Sequence, residues 1–331
     1  MKKNIAIIAG GDSSESVISL QSAETMKQVI DTEKYNVHTI LVKDGQWTLV
    51  DPEYNGTPIN KNDFSLSVNS YSRTKFDCAF IGIHGTPGED GKMQGYFDLV
   101  DMPYTTGGVM NMALTFNKYY CSQYLRNFDI KVAKSTLVRK GDEIRTTGIV
   151  EITGLPCFVK PNAGGSSFGI SKVKTINDLK AAIEKAFTES DEVVIEEFIE
   201  GIEVTSGLIK TADREIVFPI TEIVSKNEFF DFEAKYNAEQ STEITPARID
   251  DEIAVNVKHL SSLIYDLVNC RGVVRIDYII KGQSIYFLEV NTVPGMSKNS
   301  IIPKQVKEMG LELKDIYTLM IEDAIDNRRK S

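Results

Sequence analysis

The chain has few cysteines, no long basic tract and no long apolar run, and each absence excludes a class of protein. Its 331 residues include four cysteines that are far apart and form no C-x-x-C pair, so buried, reduced thiols are expected. No apolar run is long enough to span a bilayer. The longest basic tract is Arg328-Arg329-Lys330, and the net charge is −10. These features argue against nucleic acid or a membrane surface as a partner.

Two common nucleotide-binding signatures are also missing. An apolar segment at residues 5–9 runs into Gly10-Gly11-Asp12-Ser13 without the G-x-G-x-x-G spacing, which argues against a nicotinamide dehydrogenase. The sequence contains no G-x-x-x-x-G-K-[S/T], so a P-loop enzyme is not expected. The same segment is too short for the core of a signal peptide. It predicts a first β-strand, and we expect a cytoplasmic protein.

The order of predicted elements indicates an α/β protein of two or three domains. Composition is ordinary, with 42% hydrophobic and 25% charged residues. In the first third, strands and helices alternate, which predicts a doubly wound parallel sheet. The predicted strands are 5–9, 36–42 and 79–83, and the predicted helices are 15–30, 93–100 and 111–128.

The second half is strand-rich and reads as α+β. Strands are predicted at 157–160, 170–173 and 192–198, with a helix at 176–190. An antiparallel sheet is predicted from three segments, at 201–208, 216–220 and 273–290. Amphipathic helices are predicted at 251–269 and 311–327. Residues 225–245 are polar and aromatic without periodicity. A loop of that length in a compact domain is usually functional, so we predict a lid there.

Residues 275–291 are the most informative stretch for chemistry. They read as a strand, a turn at Gly282 and a second strand, on which Glu289 and Asn291 face the same side. The hairpin brings Asp277 close to them, with Arg275 on the same face. Two carboxylates and an amide oxygen suit Mg²⁺. A solvated acidic strand end is the alternative, but buried inward carboxylates need a metal or cation partner.

A second candidate site is the Gly/Ser loop that follows Lys160. Its sequence, Lys160-Pro-Asn-Ala-Gly-Gly-Ser-Ser-Phe-Gly169, offers backbone N–H groups and hydroxyls that can wrap a phosphate, with a lysine at the strand end. A plain turn is the alternative. Such a turn would not need three glycines, two serines and a lysine, so phosphate binding is favoured.

Four other features are ambiguous from the residues alone. Glu15 lies in the first turn of a helix, where N-terminal capping explains it. His84 ends a strand beside glycines, which suits either a pocket or a structural role. The acidic strand from Glu196 to Glu203 suits either a solvated turn or adenine and ribose binding. Lys235-Tyr236, in the predicted lid, would usually be solvated.

Taken together and in order, these segments resemble the D-alanine–D-alanine ligases of the ATP-grasp superfamily over residues 10–315. The matching motifs are Gly10-Gly11-x-Ser13-x-Glu15, His84-Gly85-x-x-Gly88-Glu89-Asp90-Gly91-x-x-Gln94-Gly95, Pro103-Tyr104-x-x-x-Gly108-Val109, Lys160-Pro161 with Gly165-Ser166-Ser167-x-Gly169, Lys235-Tyr236, and Arg275-x-Asp277 with Glu289-x-Asn291-Thr292-x-Pro294-Gly295-Met296.

The resemblance implies an ATP-grasp fold of three parts. These are an N-terminal domain at 1–107, a central subdomain at 108–200 and a C-terminal subdomain at 201–331 that carries the lid. ATP would lie between two antiparallel sheets. The resemblance implies that the nucleotide is held by Lys118, Lys160, Ser166, Ser167, Glu196, Glu197, Phe198, Ile199, Glu203 and Lys235. It implies two Mg²⁺ ions on Asp277, Glu289 and Asn291, with Mn²⁺ able to substitute.

The resemblance also implies the roles of the substrate residues. Glu15 would grip the ammonium of the first D-alanine, with His84 nearby, and Ser300 would bind the carboxylate of the second. Arg275 and the Gly295 N–H would stabilise the tetrahedral oxyanion. Tyr236, Ser166 and Glu15 would hydrogen-bond across the closed site. The expected activity is ATP-dependent synthesis of D-alanyl-D-alanine for peptidoglycan precursors, by a homodimer.

Alternatives to this activity stay open. Ligases that use D-lactate tend to lack the lid tyrosine, so Tyr236 favours the dipeptide over a D-lactate or D-serine product. A non-catalytic ATP-binding protein of the same fold is disfavoured because every candidate ligand and lysine is present. Departures from the family pattern are small: Thr86-Pro87, Glu197 and Ile301 each replace a more common residue, and none of them removes a catalytic group.

Overall fold

The structure is a computed structural model, and it describes residues 2–13, 15–69, 72–164, 169–225 and 241–328. Within these ranges no helix combines the length and the apolar character needed to cross a membrane. The four cysteines are buried and free, as the sequence predicts.

The first part of the chain forms a four-stranded sheet in the order β3-β2-β1-β7. Its strands are β1 (Lys3–Gly10), β2 (Tyr35–Lys43), β3 (Gln46–Val50) and β7 (Cys78–Ile81), and β1 pairs in parallel with both β2 and β7. The strand β3 adds an antiparallel edge. Helices α1 (Ser16–Val29) and α2 (Lys92–Leu99) follow β1 and β7. Three short strands, β4 (Ile59–Asn60), β5 (Ser65–Asn69) and β6 (Ser72–Lys75), form a separate small sheet.

Both faces of this first sheet are covered, because alternate residues of β1 pack into different cores. Ile5 and Ile7 pack with α1 and with residues near the C-terminus, such as Tyr317. Ala6 and Ile8 pack on the opposite face with Phe97 of α2 and the small sheet. An apolar strand buried on both faces is typical of a doubly wound sheet. The predicted fold of this region is therefore confirmed.

The central part is a four-stranded antiparallel sheet in the order β10-β9-β11-β8. Its strands are β8 (Ser135–Arg139), β9 (Cys157–Pro161), β10 (Ser171–Val173) and β11 (Glu192–Glu197). Helices α5 (Thr146–Thr153) and α6 (Ile176–Ala186) cover one face, and their apolar residues share a core with β9 and β11. This leaves the other face for the site described below.

The last part is a six-stranded antiparallel sheet built on β12 (Ile202–Lys210). Its other strands are β13 (Glu215–Val217), β14 (Thr221–Ser225), β15 (Ser241–Ile244), β16 (Gly272–Lys281) and β17 (Ser284–Asn291). Helices α7 (Asp251–Leu267), α8 (Ile301–Glu308) and α9 (Leu313–Arg328) pack around it. The predicted division at residues 107 and 200 stays a prediction, although each main sheet falls within one of the three predicted parts.

One predicted helix is wrong in its extent. The sequence predicts a single helix over 111–128, whereas the structure has α3 (Val109–Phe116) and α4 (Lys118–Arg126), separated at Asn117. Asn117 has an extended backbone, and its side chain accepts a hydrogen bond from the Tyr120 N–H at 3.0 Å, which caps the new helix. The break places Lys118 at a helix N-terminus, where its N–H donates to the Asn162 carbonyl.

The predicted lid loop is shorter than expected where the structure describes it. Strands β14 and β15 pair from Glu222 with Ile244 to Ser225 with Ser241, so both ends of the predicted 225–245 loop lie on a ladder. Residues 226–240 lie outside the described ranges. These strands and the helix α8 were not predicted from the sequence, because each is short and offers few periods of an apolar pattern.

Candidate active site

The hairpin of β16 and β17 aligns the predicted metal residues. In its register Asp277 is directly opposite Glu289, and Arg275 is directly opposite Asn291. A register shift follows at Asp277 and Tyr278, which marks a bulge beside these side chains. The hairpin predicted from the sequence is thus confirmed, and it gathers all four side chains at one end of the sheet.

The Asp277 carboxylate is the centre of a buried hydrogen-bond network. Its Oδ1 accepts from Arg275 Nε at 2.9 Å and from the Thr205 hydroxyl at 2.5 Å. Its Oδ2 accepts from a terminal nitrogen of Arg275 at 2.8 Å and from Asn291 Nδ2 at 3.0 Å. Burial lowers the pKa of Arg275, but the ion pair with Asp277 outweighs this and raises it. Arg275 is therefore a permanent, oriented cation.

Two lysines approach the hairpin from the central part. The Lys118 Nζ lies 3.4 Å from Glu289 Oε2 and donates to the Gly164 carbonyl at 2.7 Å. The Lys160 Nζ lies 2.5 Å from Glu196 Oε2. Burial opposes the charge on Lys160, but Glu196 outweighs it and the pKa of the lysine is raised. Lys118 thus contacts the acidic hairpin directly, and Lys160 is a cation held by Glu196 of the central sheet.

A cavity of about 460 Å³ lies between the central sheet and the last sheet. Its lining includes the predicted nucleotide and hairpin residues Lys118, Lys160, Glu196, Glu197, Phe198, Ile199, Glu203, Arg275, Asp277 and Glu289. Apolar side chains complete the walls, with Phe158 and Phe198 tilted against each other at a ring distance of 5.9 Å. An apolar slot beside lysines suits a purine with attached phosphates.

A second group of predicted residues lies near the loop after β7. Glu15 and His84 are buried, with 8% and 7% of their surface exposed. Burial lowers the pKa of His84, and the neighbouring Glu15 opposes this shift. The His84 imidazole also contacts Ser22 Oγ at 3.4 Å and bonds to the Val293 backbone. The Glu15 side chain makes no cap bond at the start of α1, so the capping interpretation is wrong, and its carboxylate lies close enough to His84 to affect that ring. The predicted role of Glu15 toward the substrate stays a prediction.

Gly295 and Ser300 lie together in the loop after β17. A Cβ atom added to Gly295 would lie 2.9 Å from the Ser300 Oγ, so the two residues are in close contact. Ser300 Oγ is 2.8 Å from Ser297 Oγ, and Ser300 precedes the first residue of α8. Neither residue lines the nucleotide cavity, although the next residue, Ile301, does. Their predicted roles toward the substrates stay predictions.

Four predicted residues cannot be placed. Ser166, Ser167, Lys235 and Tyr236 lie outside the described ranges, so their predicted roles stay predictions.

Two residues of the site were missed from the sequence. Thr205 donates to Asp277 because the register of β12 and β16 sets these two residues opposite each other. Glu89 joins the loop after β7 to Val293 through its carboxylate. Burial and then the charge of Glu15 raise the pKa of Glu89 to about 8. Glu89 stands in a motif quoted above, and its position in that motif was the available signal.

The hairpin donor set fits a hard divalent cation. Asp277 and Glu289 supply carboxylate oxygens on opposite strands. The amide nitrogen of Asn291 is engaged with Asp277, so the amide oxygen is the atom that can act as a ligand. An all-oxygen set next to lysines that suit phosphates is the arrangement expected for a nucleotide-bound metal.

Comparison with known proteins agrees with this geometry. Residues 4–107 match the family model described as D-ala D-ala ligase N-terminus, and residues 124–322 match the one described as D-ala D-ala ligase C-terminus. A D-alanine--D-alanine ligase of Phocaeicola vulgatus is 54% identical over 324 residues, which is 98% of this chain and 99% of that protein.

Two solved structures share the whole fold. The VanG D-Ala:D-Ser ligase of Enterococcus faecalis has a TM-score of 0.84 and 32% identity, covering 99% of this chain and 100% of that one. A D-alanine--D-alanine ligase of Bacillus anthracis complexed with ATP has a TM-score of 0.79 and 26% identity, covering 100% and 99%. Two antiparallel sheets that enclose a nucleotide-sized cavity define an ATP-grasp enzyme. Within that class, the chain belongs to the D-alanine–D-alanine ligase family.

Proposed function

We propose that this protein is an ATP-dependent ligase that joins two D-alanine molecules to D-alanyl-D-alanine for peptidoglycan precursors. The observation that carries the proposal is that Lys118 and Lys160 line the same cavity as Arg275, Asp277 and Glu289 of the hairpin, with Lys118 in contact with Glu289. The non-catalytic alternative is disfavoured, because a protein that only binds ATP has no need for the oriented arginine beside the carboxylates.

The nucleotide would occupy the cavity with its base in the apolar slot. Phe198, Ile199 and the backbone near Glu196 would hold adenine, Glu203 the ribose, and Lys118 and Lys160 the phosphates. Asp277, Glu289 and Asn291 would hold Mg²⁺, which neutralises phosphate charge when bound. These cations also compensate the carboxylates, which explains why so many charges are buried in one place.

The reaction would proceed in two steps. An oxygen of the donor D-alanine carboxylate attacks the γ-phosphorus of ATP, ADP leaves, and a D-alanyl phosphate forms. The amine of the acceptor D-alanine then attacks the carbonyl carbon. The resulting tetrahedral oxyanion collapses with loss of inorganic phosphate, and the new amide nitrogen loses a proton. Arg275 and the Gly295 N–H would stabilise the oxyanion, the usual large electrostatic contribution to acyl transfer.

The substrate region would orient both amino acids. Glu15 would pair with the donor ammonium, beside the neutral His84, and Ser300 would bind the acceptor carboxylate. Lys235 and Tyr236 would come down with the lid, Tyr236 would hydrogen-bond with Ser166 and Glu15 across the closed site, and Ser166 and Ser167 would help to hold the nucleotide. Closure would exclude water, which would otherwise hydrolyse the acyl phosphate. We also propose a cytoplasmic homodimer, and light scattering during size-exclusion chromatography tests the dimer.

The experiment that tests the function is ADP release with Mg²⁺-ATP and D-alanine, with product identified by mass. L-alanine and a sample without amino acid are the controls. Turnover with D-alanine alone, giving the dipeptide, is expected. No dipeptide, with ATP still bound, would contradict the proposal.

A second acceptor is worth testing because of one comparison. The E. faecalis protein of 32% identity is a D-Ala:D-Ser ligase. Tyr236 and the 54% identical D-alanine--D-alanine ligase favour D-alanine here. Competition between D-alanine, D-serine and D-lactate, read by mass, distinguishes these products.

A further inference from the structure

Both polar backbone groups of Val293 are engaged by one loop of the N-terminal part. Its N–H donates to Glu89 Oε1 at 3.3 Å. The His84 imidazole forms a hydrogen bond with the Val293 backbone that favours the protonated ring, as donation to the carbonyl does. The Val293 side chain is only 5% exposed and packs in the core of the first sheet. Residue 293 is therefore fixed relative to that sheet.

The other carboxylate oxygen of Glu89 is bound to its own loop. Its Oε2 accepts from the Gly85 N–H at 2.8 Å, and the Glu89 N–H donates to the Gly85 carbonyl at 2.8 Å. One carboxylate thus accepts two N–H groups from distant parts of the chain. A carboxylate can do this because each oxygen is an acceptor, whereas an amide side chain offers one accepting oxygen only.

Val293 lies two residues before Gly295, whose N–H is the proposed oxyanion donor. Such a donor must lie about 2.7–3.1 Å from the position of the oxyanion. A misplacement of about 1 Å can slow a reaction on the order of 100-fold. The position of the Gly295 N–H depends on the path of the chain from Val293, and this path is anchored by Glu89.

We propose that Glu89 is a positioning residue for the second step: by tying Val293 to the loop of His84, it holds the Gly295 N–H where the oxyanion develops. The inference rests on the proposed function. Glu89 does not line the nucleotide cavity. Its loss should therefore slow attack by the acceptor amine and leave ATP binding and phosphoryl transfer intact.

The test compares wild type, Glu89→Gln and Asp90→Asn in single turnovers by rapid quench, at pH 9, where Glu89 is ionised. Asp90 is the matched control because it lies in the same loop but accepts from the Thr86 hydroxyl and from Lys92 instead of Val293. In E89Q we expect ADP to form within about twofold of the wild-type rate, while dipeptide formation slows about 10- to 100-fold. D90N should keep both rates and ATP affinity within about twofold.

A second variant at Glu89 distinguishes a specific loss of positioning from a folding defect. Glu89→Asp keeps the charge but is one methylene shorter, so it cannot reach both N–H groups, and it should show the same lag between ADP and dipeptide. The proposal is overturned if E89Q makes dipeptide at the wild-type rate, or if ADP and dipeptide slow together. The proposal is also overturned if both Glu89 variants lose ATP binding while D90N keeps its ATP affinity, because Glu89 would then have a general structural role. Absence of dipeptide from the wild type would instead contradict the proposed function.

Discussion

Arg275 holds Asp277 by two parallel hydrogen bonds along one strand, at 2.9 Å and 2.8 Å. The two residues are two positions apart, so they share a face of β16, and the planar guanidinium matches both carboxylate oxygens. This pair fixes the direction of the cation before any substrate binds. Preorganised charge of this kind is what stabilises an oxyanion without further reorganisation.

Arg275→Lys should therefore reduce kcat about 100-fold or more. Lysine keeps the positive charge but replaces the planar fork with a point charge on a flexible stem. Arg248→Lys is the matched control, because Arg248 makes a similar two-bond contact with Glu222. Steady-state dipeptide formation measures both. A kcat for R275K within threefold of wild type would mean that the orientation of the cation is unimportant.

Glu289→Gln should nearly abolish ATP turnover. The substitution removes one of the two carboxylates opposite each other in the hairpin, and so weakens the proposed Mg²⁺ site. The Mg²⁺ concentration needed for half-maximal activity should rise. Glu215→Gln, at an exposed carboxylate 3.6 Å from Lys210, serves as the control. Near-wild-type turnover of E289Q would mean that the metal site does not include Glu289.

Gly85→Ala should raise the KM for the donor amino acid. Gly85 has a φ of +72°, and an added Cβ would lie 2.8 Å from Ser13 Oγ and 3.3 Å from Glu15 Oε2. The displaced Glu15 would grip the donor ammonium less well. Gly141→Ala is the control, with a φ of +95° but open space around the added atom. Both variants should lose about 1 kcal/mol of stability from the backbone, and only G85A should lose activity. Equal kinetics in the two variants would refute this role of Gly85.

Glu89→Gln should change how stability depends on pH. The pKa of Glu89 is raised from 4.5 to about 8, first by burial and then by Glu15. Between these pH values the folded protein holds a proton that the unfolded chain has released. The stabilisation is therefore complete below pH 4.5 and is lost as the pH rises towards 8. The melting temperature of E89Q, relative to that of wild type, should rise between pH 5 and pH 8. Parallel curves over this range would contradict the raised pKa.

Tyr236→Phe should weaken the preference for D-alanine over D-lactate as acceptor. The prediction comes from the sequence, because residue 236 lies outside the described ranges. The product ratio in a mixture of both acceptors measures it. Tyr120→Phe removes an exposed hydroxyl that accepts from Arg139 and should leave the ratio unchanged. An unchanged ratio in Y236F as well would mean that the lid tyrosine does not set specificity.

The hairpin shows how much of the site was predictable from local sequence. The spacing of Glu289 and Asn291, the turn at Gly282 and the apolar residues between them predict two paired strands with polar side chains on one face. The structure confirms this hairpin, with Asp277 opposite Glu289. Periodicity determines such features because neighbouring residues on a strand alternate faces whatever the rest of the chain does.

The sequence by itself determined the doubly wound first sheet, the hairpin and the family motifs, since each depends on residues close together in the chain. Only the tertiary structure decided the contacts across long separations: Lys118 with Glu289, Thr205 with Asp277, and Glu89 with Val293. It also decided the break at Asn117, where the side-chain cap and the bridge to Ala163 outweigh a continuous helical pattern. These contacts depend on how sheets and loops pack, and no local pattern encodes that packing.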